Sequence, residues 1–260
     1  MAKEKLAQQD ITKPLGVTGL SIWRGAIGEE YLTQLKGARA SRIFREMTRD
    51  TVIGTLLDAI KMPLLAAEFM AVPASEAEAD QKAADFLWEC MNDMTSYSWR
   101  QHVLDMLDFL TFGWAAAEVV LKKREGRDAD HPSKFNDGKL GIHILDTRGQ
   151  ETLESWVMDD ENNVKELVQR SPTTGDLFHI PRWKLVHATF RSRKRSPEGS
   201  SPMAQLYRAW YMRSNLEMLE GIGIERDLAG LPVMWLPYGA TATDMETAEK
   251  IVKSLRMDEE

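Results

Sequence analysis

From Ala38 onward apolar residues return at three- and four-residue steps, at Ile43, Met47, Ile53, Leu56, Leu57 and Ile60. That period lays them on one helical face, and Pro63, which has no amide hydrogen, is expected to end the helix. Leu64 to Val72 is apolar and closes at Pro73, as a short strand or extended passage would. Ser75 and Glu78 have the spacing of a capping box, so a second helix should follow, with Ala79, Ala83, Phe86, Leu87, Cys90 and Met91 on its apolar face. A third helix should start near Ser98, carry Trp99, His102, Val103, Met106, Leu107, Phe109 and Leu110, and stop at Gly113. Residues 1 to about 40 have no sustained period and several glycines, which suggests a partly ordered arm.

Beyond Gly113 the period changes. Ala115 to Lys123 reads as a strand, and Arg124 to Gly138 as a polar loop open to disorder. Leu140, Ile142 and Ile144 alternate with Gly141 and His143; Ser155 to Met158 and Val164 to Val168 flank a turn at Asp160 to Asn163; Leu177 to Ile180 and Lys184 to Phe190 complete an antiparallel meander. Pro181 fits an edge strand or a break. Pro202 suits the first turn of a helix running to Gly221 or beyond, with one stripe of Met203, Tyr207, Trp210, Ser214, Met218 and Gly221 and another of Leu206, Met212, Leu216, Leu219 and Gly223. A helix apolar on two sides is packed between neighbours. Pro232 and Pro237 should bracket a short strand, and Asp244 to Arg256 a last helix. The fold class is α+β, divided into an arm (1–40), a helical region (41–123), a loop and β-rich region (124–200), a long helix (201–230) and a C-terminal region (231–260).

At 43% hydrophobic and 28% charged residues, the 260-residue chain has a globular composition and enough length for a real core. No window has the length of a membrane span and the N-terminus lacks a signal-peptide apolar core, so a cytoplasmic origin is expected. Cys90 is the sole cysteine, which excludes intrachain disulfides and cysteine-rich zinc sites. A net charge of -7 argues against tight non-specific DNA binding by the whole surface, yet suits a wall past which a duplex must slide.

The densest basic cluster is Arg191, Arg193, Lys194 and Arg195, a phosphate or acidic-partner contact on a projecting loop or else a solvated hairpin tip. Lys122, Lys123 and Arg124 read as a solvated face. His179 and His187 lack the partners of a metal site and read as structural; His143 should be exposed and His102 at the edge of the core. Asp105 with Asp108, and Asp159, Asp160 and Glu161, raise a two-metal site but lack a converging third acid. Gly221 and Gly223 fall at a helix end with Arg226 where a nucleotide loop has its third glycine. Trp183, Tyr207, Trp210 and Tyr211 are stacking platforms or, at helical spacing, core. No catalytic, cofactor or metal residue is assigned.

The ordered run Ile180-Pro181-Arg182-Trp183-Lys184-Leu185-Val186-His187, then Tyr207-Arg208-Ala209-Trp210-Tyr211, then Ile224-Glu225-Arg226-Asp227, resembles the portal proteins of tailed phages, particularly the Mu-like type. Arg49-Asp50, Leu56 to Glu68, Trp99, Phe109 to Trp114 and Glu118-Val119-Val120 extend the resemblance over residues 45 to 245. It implies a portal-like fold with an N-terminal helical wing, a wing or clip meander and a long body or stem helix. It also implies a dodecameric ring at one capsid vertex through which double-stranded DNA is packaged and ejected without sequence specificity, built of head-to-tail contacts that close. The partners it implies are the terminase large subunit, head-completion and tail proteins and the major capsid protein. There is no membrane partner, and the place is the virion after assembly in the bacterial cytoplasm. Tyr207, Arg208, Trp210, Tyr211, Glu225, Arg226 and Asp227 would then serve inter-subunit or body packing. Family members continue past the position of Glu260 into a channel loop and crown, so a truncated form is expected. The rivals are a monomeric adaptor docking its two-sided helix on one partner, and a metal-dependent nuclease using the acidic clusters.

Overall fold

The computed structural model describes residues 16–95, 97–229 and 233–254, with the backbone alone at 226–229 and 254. The chain divides into two compact units, Met1–Tyr207 and Arg208–Glu260.

In the first unit, β1 (Ile22–Trp23) and β2 (Ala26–Ile27) make a small ribbon tied to the β-rich region where Trp156 N donates to Gly25 O at 2.9 Å. The ribbon and the buried Leu35 give the described part of the arm a fixed seat. The expected first helix is two helices, α1 (Gly37–Met47) and α2 (Thr51–Ala66). Asp50 causes the break: its carboxylate accepts from Val52 N and Ile53 N at 3.0 and 3.1 Å and so caps a new helix inside a continuous apolar period. Pro63 does not end α2, which continues to Ala66; this close to the C-terminus, proline removes one hydrogen bond from a turn that frays anyway. The passage after it is extended at Ala67, without a strand.

Helix α3 (Glu78–Asn92) starts later than the capping-box spacing suggested. Ser75 Oγ accepts from Ala77 N at 3.1 Å and donates to Asp80 at 2.5 Å, and the N-cap position falls to Ala77. Its inner end, Cys90 and Met91, is buried. The expected third helix is two: α4 (Trp99–Met106), capped by Ser98, whose Oγ accepts from Gln101 N, and, after a break at Leu107 and Asp108, α5 (Phe109–Phe112), which ends at Gly113 in the left-handed region; the cap and the stop are where they were expected.

The β-structure forms two three-stranded antiparallel sheets in place of one meander. Strands β3 (Trp114–Glu125) and β4 (Asn136–Arg148) form a long hairpin. Strands β5 (Leu153–Met158), β6 (Val164–Arg170) and β7 (Leu177–Pro181) form a true meander. Strand β8 (Leu185–Thr189) then leaves it and pairs with β3, Ala116 opposite His187. Pro181 satisfies both readings given to it, since it ends an edge strand and precedes a short 3₁₀ turn at Arg182–Lys184. Trp114, Ala116 and Leu185 from one sheet meet Trp156, Leu167 and Ile180 from the other to form the inter-sheet core. The loop between β3 and β4, expected to be open to disorder, is ordered: Ser133 N donates to Gly126 O and Gly126 N to Phe135 O, both at 2.9 Å.

Helix α6 (Pro202–Ala229) begins with the expected proline and carries 28 residues, roughly 40 Å at 1.5 Å per residue. In the second unit, Val233–Pro237 has no strand where one was expected; Pro232 lies outside the described residues. Helix α7 (Ala242–Ser254) starts two residues before Asp244, because Thr241 and Asp244 cap it reciprocally: Thr241 N donates to the Asp244 carboxylate at 2.9 Å and Asp244 N to Thr241 Oγ1 at 3.3 Å.

Candidate functional site

The strap from Phe190 to Ser201 joins the sheets to α6 and carries the basic cluster. Its ends are fixed by backbone contacts: Phe190 N donates to Gly113 O and Ser200 N to Phe190 O, each at 2.7 Å. Gly199 has φ 59°, and a side chain there would place Cβ 2.5 Å from Phe190 O, so only glycine lets the two backbones approach this closely. Ser201 Oγ donates to Thr111 O at 2.5 Å and accepts from Met203 N at 3.0 Å, which caps α6 against the end of α5.

Beneath the strap, Trp114 meets Trp156 edge to face and His187 is tilted against Trp156, with ring centroids 5.2 Å apart in both pairs. His187 Nε2 lies 2.8 Å from Pro197 O and so carries the proton; burial lowers the ring's pKa, and the structural role expected of His187 holds. Trp156 Nε1 donates to Glu198 at 3.2 Å, and burial pushes the Glu198 carboxyl up to about 7 despite that hydrogen bond. Glu198 also lines a cavity of about 170 Å³ with Phe44, Phe112 and Trp114. No periodicity or motif singles out Glu198 in the run Ser196-Pro197-Glu198-Gly199.

All four cations of the strap are exposed. Arg191, Lys194 and Arg195 take φ of 47°, 53° and 59°, the left-handed region that bulky side chains rarely enter. Their side chains hold the turn: Lys194 pairs with Glu29 at 2.9 Å, Arg195 donates to Glu161 O at 3.2 Å, and Arg191 lies over the Phe190 ring at 5.1 Å. Arg193 has no side-chain partner among the described residues. The cluster thus presents one uncommitted cation on a tied-down turn.

On α6, Tyr207 and Trp210 are half-buried while Arg208, Tyr211 and Glu225 are exposed. The side chains of Arg226 and Asp227 lie outside the described residues. The helix is not packed on both sides as expected: the first stripe is covered in its first turns, with Met203 buried and Tyr207, Trp210 and Ser214 half-buried, whereas the second stays open, and Leu206, Met212, Leu216, Met218, Leu219, Ile222 and Ile224 are all more than two-fifths exposed, reaching 61% at Leu219. Gly221 and Gly223 sit inside α6, so they form no nucleotide loop.

The solvated face expected at Lys122 and Arg124 is a buried ion network. The Lys122 side chain is 0% exposed and donates to Asp93 O and Pro132 O at 2.6 Å each, with an Asp93 carboxylate oxygen at 3.1 Å. Burial opposes ionisation of Asp93, but hydrogen bonds from Lys134 N, Ser133 Oγ and Lys122 outweigh it and hold the carboxyl below its usual range. Arg124 donates to Glu89 at 2.7 Å, faces Asp137 at 3.2 Å, and lies against Phe135 and Phe86 at 3.9 and 5.0 Å from the ring centroids. Arg124 Nε and Nη1 are buried without a hydrogen-bond partner, and the cation–π contacts to the two rings offset part of that cost.

The remaining candidates have local partners. His143 is half-buried, not exposed as expected, with its ring 4.2 Å from that of His131. His102 is buried beside Trp99, and His179 is exposed and paired with Glu166 at 2.9 Å. Asp108 pairs with Lys61 at 2.9 Å, and Asp105 bonds Tyr97. Asp159 accepts from Glu161 N, Asn163 N and Asn163 Nδ2, which makes it a turn-former. No group of three or more metal-ligating side chains occurs among the described residues. Trp183 is 74% exposed.

The first unit is therefore a two-sheet platform whose buried charges are engaged by carboxylates and carbonyls, and α6 is a long helix capped at Ser201 with one open apolar side. A search of curated proteins returns no match to the chain. The family described as the portal protein of Mu bacteriophage matches residues 41–259, from α1 through α7 and nearly the whole sequence, and the chain belongs to that family.

Proposed function

We propose that the chain is a structural, non-catalytic portal subunit that forms a dodecameric ring at one capsid vertex, through which double-stranded DNA is packaged and ejected. The observation that carries this reading is the open apolar surface of α6 in a chain of the Mu portal family. An apolar helix surface of that extent requires cover, and copies of the same chain supply it in a ring. The terminase large subunit, head-completion and tail proteins attach to such a ring, and the major capsid protein surrounds it. The ring belongs to the virion and assembles in the bacterial cytoplasm. No helix among the described residues is long and apolar enough to cross a membrane.

DNA passes without sequence readout. Net charge of -7 keeps phosphates from being held, and Arg193 with Arg191 on the strap gives one local contact for phosphate or an acidic partner. A nuclease role finds little support, because Asp105, Asp108 and Asp159 already serve Tyr97, Lys61 and a turn. Negative-stain imaging of the purified chain tests the proposal: closed rings with a central hole are expected, and fields of small particles with no rings contradict it.

A further inference from the structure

Two helices of the first unit carry opposite charge on their outward faces. On α1, Ala40, Ser41, Phe44 and Met47 are buried, and the opposite arc carries Arg39, Arg42 and Arg45, with Arg49 one turn on; all four are exposed, and the one acid among them, the exposed Glu46, leaves the arc basic on balance. Arg45 pairs with Glu151 at 2.9 Å, whereas Arg39, Arg42 and Arg49 have no side-chain partner among the described residues. On α3, Glu78, Gln81, Asp85 and Trp88 follow at steps of three, four and three, which places them on one stripe, and all are exposed. Glu78 pairs only with Lys82 of its own helix, and Trp88 is 45% exposed.

These faces lie at opposite ends of one ladder. Helix α1 packs on α5, which feeds the Trp114 end of β3, and on the Gln150–Thr152 turn that follows β4. Helix α3 reaches the other end, where Glu89 holds Arg124 and Cys90 sits against Gly141. Twelve strand residues at about 3.3 Å each separate the two ends by roughly 35 Å. A two-fold contact through α1 would set arginine against arginine, and one through α3 would set carboxylate against carboxylate. A head-to-tail contact joins unlike faces, with Trp88 as the apolar anchor inside a charged rim.

We propose that the arginine face of α1 on one copy docks on the Glu78–Asp85–Trp88 face of α3 on the next, as one of the contacts that closes the ring. The inference rests on the ring reading above. Because the charges are exposed and separate from the core, their reversal leaves the fold intact, which an unchanged circular dichroism spectrum verifies; the melting temperature itself would fall with lost assembly.

The test compares the full-length chain with Arg39→Glu/Arg42→Glu, with Glu78→Lys/Asp85→Lys, and with the quadruple variant, by sedimentation velocity over a concentration series at low salt. Each double variant is expected to raise the concentration needed for assembly at least about tenfold, and the quadruple variant to return it to within roughly threefold of the parent. If the parent assembles and the quadruple variant is no better than the doubles, the pairing is wrong while the ring stands. If both doubles assemble like the parent, the pairing is also wrong, and loss of duplex DNA retention by the arginine variant would assign the α1 face to a phosphate backbone instead. A parent that stays monomeric throughout removes the ring and the pairing together.

Discussion

The two ends of the β3–β4 ladder are buried by opposite means. At the Trp114 end the interior is aromatic and aliphatic, and burial pushes the carboxyl set against it, Glu198, up to about 7, so that it is half ionised at neutrality and mostly neutral in mild acid. At the Arg124 end the interior holds full charges, Lys122 matched by a carboxylate and two carbonyls and Arg124 by two carboxylates. The contrast teaches that burial in this protein is not selected by polarity alone. A carboxylate without a cation within reach gives up its charge, whereas one that meets a lysine and two further donors keeps it.

The largest way to break this contrast is Asp93→Ala. It leaves the Lys122 ammonium buried without its counter-charge, and chemical denaturation should register a loss of about 3–5 kcal/mol, together with faster hydrogen exchange in the 126–135 loop. Next is Gly199→Ala at the aromatic end, where a Cβ would meet Phe190 O at 2.5 Å with φ at 59°; a loss of about 3 kcal/mol is expected from the same measurement.

Glu198→Gln sharpens the contrast through pH. A carboxyl whose folded pKa is raised from 4.5 to about 7 lends stability below pH 4.5 that is lost as pH rises toward 7. The variant keeps an acceptor for Trp156 Nε1 and lacks this titration, so its stability relative to the parent should climb through that window and exceed it by up to about 3 kcal/mol above pH 8. Melting curves from pH 4 to 9 check this, and parallel profiles for the two proteins would sink it. The smallest effect belongs to an exposed pair of good geometry. Arg170 and Glu154 are about half exposed and 2.8 Å apart, and Arg170→Ala should cost under about 1 kcal/mol by denaturant titration, less at high salt.

Much of the fold was legible because its periods are local. The run from Ala115 to Lys123, the turn at Asp160 to Asn163, the Ser98 cap, the Gly113 stop and Pro202 at the start of α6 all appear where the pattern puts them. The break at Asp50 was hidden, because the apolar period continues through it while a side-chain cap interrupts the backbone. The departure of β8 from the meander was hidden for another reason: its partners on β3 lie some seventy residues earlier, and no local period reports a distant pairing.

The site was legible in part. The apolar stripes of α6 follow from spacing, but that one of them stays open does not, nor does the fate of the charged residues. Lys122 and Arg124 look solvated in the run Leu121-Lys122-Lys123-Arg124-Glu125, yet they are two apart in a strand and share a face, which is buried while Lys123 points out. Strand phase was the available signal; their partners, Asp93 and Glu89, are 29 and 35 residues away. The arginines of α1 were concealed in the same way, since attention to the apolar face of a helix passes over the pattern on its back.

The central claim, that copies of this chain cover one another's apolar helix in a closed ring, is tested most directly by the mass of the purified full chain in solution by light scattering. A single species at about twelve times 29.5 kDa, stable on dilution, is the predicted result. A species at 29.5 kDa at every concentration would contradict it.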